Sequence, residues 1–167
     1  MSDPTFRQLL RGKGAHVDPV SSLTDVPAET AGRLVEGYPH SVWQLVSHMN
    51  YWMEYELRRI AGERPAYPEH AIESWPASVS PASEEEWRDA QMRLAALLQR
   101  LAVLSESEQR VLNAPVEALN AAEASQVSSV QAVLWQTLAH NSYHAGQIAL
   151  LLRCFGVWPP ASGGDTW

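Results

Sequence analysis

Residues 138–160 read LAHNSYHAGQIALLLRCFGVWPP, and two histidines, His140 and His144, stand four apart in a stretch otherwise suited to a buried helix. On an α-helix that spacing leaves the side chains about 40° apart around the axis and about one turn apart along it. Two imidazoles so placed can reach one metal ion. The pattern alone is not specific, because in a helical core one such histidine can satisfy a buried carbonyl while the other faces water. His48 shifts the balance. It lies in LVSHMNYW, beside the apolar arc of a second helical stretch and one turn before Trp52. Three neutral imidazoles from two core-facing helices supply three ligands and leave other positions open for water or substrate. Each buried imidazole otherwise needs its own partner, and one ion serves all three. The remaining histidines read differently. His16, in GKGAHVDP, is a loop residue; His40, just before a helix start, makes a local contact; His70 is exposed in a proline-rich stretch.

Three helices with their own start signals must position these residues. Ser41-Val-Trp-Gln44 has the form of a capping box, in which a serine oxygen and a glutamine side chain each satisfy an orphan N–H. The helix it opens runs to about Ala61 and stops near Gly62 and Pro65. Val42, Leu45, Met49, Met53 and Ile60 share one arc of it, with Glu54 and Arg58 opposite. Ser83-Glu-Glu-Glu86 is a second box, its acids suited to the positive end of a helix dipole. Trp87, Leu94, Leu98 and Leu101 follow on one face as far as about Leu104. Ser128-Ser-Val-Gln131 is the third, opening a helix to about Phe155 with Gly156 as its stop. That last helix is apolar on most sides and is expected to be the most buried. Before Ser41 the signal is weaker: residues 4–11 and 18–35 suggest short helical pieces broken by Gly12, Gly14, Pro19 and Pro27. Residues 62–82 read as a long crossover, and 105–127 as a second connection with local helix. No hairpin signal is present. The whole chain, 1–167, reads as one all-α domain, a four-helix bundle with long connections.

Composition narrows the partners. The 167 residues carry a net charge of −7, which gives no general attraction to phosphate backbones or anionic membranes. One cysteine, Cys154, allows neither an internal disulfide nor a cysteine-rich zinc site. No run approaches the ~18 apolar residues of a membrane span, and the N-terminus has no apolar signal core. The expectation is a soluble, cytoplasmic protein binding neither nucleic acid nor membrane.

The segment LAHNSYHAGQI, with PHSVWQLVSHMNYW upstream, resembles the DinB-like, YfiT-related metalloenzyme superfamily. The resemblance covers residues 5 to 160, and HNxYHxGQ followed by an apolar run and Gly-x-Trp-Pro is its most specific element. It implies an up-down-down-up four-helix bundle, usually dimeric. It also implies a divalent metal held by His48 of the second helix and His140 and His144 of the fourth. Members of that superfamily include thiol-dependent S-transferases and a metal-dependent isomerase. The short, broken first helix departs from the pattern.

An open three-histidine site can acidify a bound water or hold a thiol as thiolate. Trp52, Tyr55 and Gln147 lie near the histidine stripes and are candidates to line the pocket. Core packing is the plainer reading of the first two, and a helix contact serves equally for Gln147. No catalytic nucleophile stands out: Cys154 reads as a buried, inert thiol, and the acids at 84–86 as a solvated helix start. Trp43 and Trp135 fall on the flanks of their helices, which suggests a homodimer interface. The reading is a metal-dependent thiol S-transferase or hydrolase. Its substrate is a small molecule, with a low-molecular-weight thiol as a possible co-substrate. Its cofactor is one divalent transition metal, zinc, nickel or iron, since imidazole suits these ions. The rival is a non-catalytic dimeric binding or interaction module.

Overall fold

A computed structural model describes residues 5–117 and 128–160. Three long helices dominate: α3 (Val42–Ile60), α4 (Glu84–Ser105) and α6 (Val130–Cys154). The first element is broken as expected, into α1 (Thr5–Leu10), a 3₁₀ turn at Ser21–Leu23 and α2 (Ala28–Ala31). The crossover carries a 3₁₀ turn at Ala71–Ser74, and the second connection a short α5 (Gln109–Leu112). The expected connection at 118–127 lies outside the described residues. One feature is not all-α: β1 (Pro115–Val116) pairs antiparallel with β2 (Ser128–Ser129). Two residues a side are too few to leave a period-two pattern in the sequence.

α3 packs against both α4 and α6, while α1 packs against α4 and α6. Of the expected apolar arc of α3, Val42, Leu45, Met49 and Met53 are buried and Ile60 is half-buried, and Trp87, Leu94, Leu98 and Leu101 of α4 are buried too. The expectation that α6 is the most buried helix is not met. It buries 12 of 25 residues, against 12 of 19 on α3. Trp135, Tyr143 and Leu150 remain on its outer side. Trp43 is also corrected: it is buried and meets Trp87 edge to face at 6.3 Å, so only Trp135 flanks the surface.

The caps decide where the helices begin. At Ser41 both bonds of the box form: Gln44 N donates to Ser41 Oγ at 3.2 Å, and Ser41 N to Gln44 Oε1 at 3.1 Å. The same two side chains hold the crossover. Ser41 Oγ donates to Val79 O, and Gln44 Nε2 to Pro76 O. The helix start thereby places residues 74–79 beside α3. At Ser83 half the box forms, because Glu86 turns back to Ala82 N instead of the cap. The third helix begins one residue later than expected. Ser128 and Ser129 both enter the β pairing, and it is Ser129 whose side chain caps Ala132 N at 3.2 Å. At the far end of α6, Gly156 takes φ +73°, and Gly156 N and Val157 N close onto Arg153 O and Leu152 O. This is the paired bonding that a glycine past a helix end permits.

Candidate metal centre

α3 presents His48 to α6, and α6 presents His140 and His144 one turn apart. The three ligand nitrogens lie within 4.8 Å of one another. His140 Nε2 is 3.2 Å from His48 Nε2 and 3.1 Å from His144 Nε2. Nitrogens bound to one ion at ~2.0–2.1 Å can stand up to ~4.2 Å apart, so this cluster has the right scale.

The outer side of each ring tells which nitrogen is free. His48 Nδ1 lies 3.3 Å from Ser74 O and 3.1 Å from Ser74 Oγ. His144 Nδ1 lies 2.7 Å from Gln147 Oε1, and Gln147 Nε2 donates to Tyr143 Oη at 3.2 Å. Carbonyl and carboxamide oxygens accept, so these two rings carry their protons on Nδ1 and turn bare Nε2 lone pairs inward. His140 Nε2 can carry one proton at most, yet it faces two such acceptors. A cation at the centre satisfies all three lone pairs, and the donor set of three imidazoles suits a transition ion.

Aromatic rings wall the group. Trp75, from the crossover, stacks on His48 at 3.8 Å with an interplanar angle of 9°, and His40 stacks on its other side at 3.6 Å. Trp52 meets His48 edge-on at 6.3 Å. Gln147 is therefore a partner of a candidate ligand, and Trp52 a flank. Tyr55 instead is buried and donates to Pro65 O. Neither Ser74 nor Trp75 was singled out by sequence reasoning; their register with His48 depends on how the crossover folds back. His40 does more than touch its own loop. His70 is exposed, and His16 bonds Leu9 O and Val17 O, outside the group. Cys154 is exposed, not buried, because it falls on the outer side of the last turn of α6. A cleft of about 750 Å³ runs between α3 and the start of α4 and borders Ser74 and Trp75; none of the three histidines lines it.

The sequence model of the DinB family matches residues 34–164. The chain belongs to the DinB family. That match takes in α3 and α6 and with them His48, His140 and His144, while the broken N-terminal pieces precede it. No curated protein and no solved structure matches the chain.

Burial, with the neighbouring imidazoles, lowers His48 to about 4. Burial first, and then His144, lowers His140 to about 4, and burial lowers His144 as well. An unfolded histidine titrates near 6.5. Between these values the unfolded chain binds more protons than the folded one, so acid favours unfolding. The metal-free protein should lose melting temperature as pH falls from about 6.5 to about 4. A shallower loss in His140→Ala, read by differential scanning calorimetry, would assign the slope to this cluster and not to the carboxylates.

Proposed function

We propose that His48, His140 and His144 hold one divalent transition metal ion and that this DinB-family protein is a metal-dependent enzyme. In this reading it is a thiol S-transferase or hydrolase acting on a small molecule. The observation that carries the reading is the convergence of three Nε2 atoms, with the rings of His48 and His144 oriented from outside by Ser74 and Gln147. Zinc, nickel and iron fit an all-imidazole set, whereas calcium and magnesium prefer oxygen. The ion would supply Lewis acidity, enough to acidify a water or a thiol near neutral pH. The protein would supply the rest. His48 and His144 are neutral and preset in the tautomer that binds metal. Trp75 closes one side of His48 against water. His140 is the one half-buried member of the group, and His48 and His144 are buried. The fold proposed is the four-helix bundle of the family, with the pieces before Ser41 standing in for its first helix. Among the described residues no helix is long and apolar enough to cross a membrane.

The test is turnover by protein loaded in turn with zinc, nickel and iron. Cysteine with a chlorodinitrobenzene electrophile probes S-transfer: a C–S bond forms, and chloride and the thiol proton leave. A nitrophenyl ester probes hydrolysis. A rate above that of free metal, lost in His144→Ala, supports the enzyme. A fully loaded protein that turns over neither probe favours the non-catalytic binding module.

A further inference from the structure

Asn141 is a polar residue that neither the fold nor the histidine cluster has yet used. It stands mid-way along α6 in the buried stripe of Leu134, Leu138, Ala145 and Ile148. It is 2% exposed, and neither its Oδ1 nor its Nδ2 has a hydrogen-bond partner among the described residues. Exchanging the amide oxygen and nitrogen would not help, since both are unpartnered. Thr137, one turn earlier, shows how a polar side chain is usually accommodated there: its Oγ1 donates to Val133 O at 2.9 Å. A leucine at 141 would fill the stripe without an unpaired buried amide.

The neighbourhood supplies a reason for the asparagine. Asn141 follows His140 directly and stands about one turn before His144 on α6. Two of the three rings have an oxygen that takes the Nδ1 proton: Ser74 O for His48 and Gln147 Oε1 for His144. No such bond forms from His140 Nδ1 among the described residues. Asn141 is nonetheless the side chain whose hydrogen-bonding pull raises the His140 pKa against the burial that lowers it. One ring lacks its outer acceptor, and one buried amide beside it lacks a donor.

We propose that Asn141 is a positioning residue for His140: its carboxamide oxygen accepts the Nδ1–H of His140 and so turns the Nε2 lone pair toward His48 and His144. This rests on the metal-binding reading of the three histidines. It makes Asn141 a residue kept at the expense of stability for the sake of the site.

The experiment compares wild type, Asn141→Leu and Asn141→Asp by three readouts. These are zinc affinity by competition with a chromophoric chelator, melting of the metal-free protein, and the ring tautomer of His140 by ¹⁵N NMR. In Asn141→Leu zinc affinity should fall about 10–100-fold, the range found when an outer partner of a metal ligand is lost. Its metal-free melting temperature should rise, and His140 should lose its preference for the Nδ1–H form. Asn141→Asp keeps the acceptor oxygen and should recover the affinity. Wild-type affinity and an unchanged tautomer in Asn141→Leu would overturn the proposal. So would a lower metal-free melting temperature in that variant, which would mark Asn141 as a structural bond. If wild type takes up no zinc, the metal-binding reading itself fails. The His140 tautomer then still decides the role of Asn141.

Discussion

Purified without an affinity tag and reconstituted with zinc, the protein should hold about one ion per chain, and His48→Ala or His144→Ala should release it. Each substitution removes one of three nitrogens that share the ion. A structural zinc site contributes roughly 10–16 kcal/mol, so losing a third of it weakens binding on the order of 1,000-fold. The two variants should differ in stability. His144 sits on α6 with Gln147 and Tyr143, which can rebond to water at the helix surface. His48 fills the space between Ser74 and Trp75, so His48→Ala also frees the crossover and exposes one face of a stacked indole. It should therefore melt lower than His144→Ala in the absence of metal, while both retain the helical circular dichroism of wild type. Elemental analysis with thermal melts reads both effects. Stoichiometric metal retained in both variants would remove the shared site.

The parts of this site that could be read from sequence are the parts set by local rules. A capping box is a four-residue pattern, so the start of α3 after Ser41 and the placing of His48 about two turns beyond it followed from the sequence. The spacing of His140 and His144 needs only the helical period. What local rules could not reach is chain return. Trp75 lies in a proline-rich stretch with no periodicity, and its stacking on His48 depends on bonds from Ser41 to Val79 and from Gln44 to Pro76. Competition between local signals explains other departures. Ser128 and Ser129 are equally good caps by sequence; both enter the β pairing, and Ser129 is the one that caps α6. Hydrophobic content misled for α6, where apolar and small residues on the outer side looked like core. Trp43 failed in the opposite direction. It lies off the centre of its helix's apolar arc, but Trp87 on α4 covers it.

Trp87→Ala should be the most damaging single substitution outside the histidine cluster, because α4 holds the N-terminal pieces that cannot hold themselves. Helical segments of four to six residues are far too short to be stable alone. In this chain they are fixed by side chains at 84, 87 and 91, one face of α4. Glu84 Oε1 accepts from Ala28 N at 2.9 Å, Trp87 Nε1 donates to Val26 O at 2.6 Å, and Gln91 Nε2 donates to Leu23 O at 2.8 Å. Trp87 is 1% exposed and also covers Trp43. Its truncation to alanine removes the largest fully buried side chain and strands a buried carbonyl. The expected cost is about 3–5 kcal/mol, a large share of the ~5–15 kcal/mol that a domain of this kind possesses. Trp87→Phe separates the two contributions. It keeps most of the ring but not the bond to Val26, and should cost about 1–3 kcal/mol. Chemical denaturation should therefore rank wild type above Phe above Ala. Hydrogen exchange should show residues 20–31 loosened in both variants before α3 or α6. An alanine variant within about 1 kcal/mol of wild type would mean that α4 does not organise the N-terminal segment.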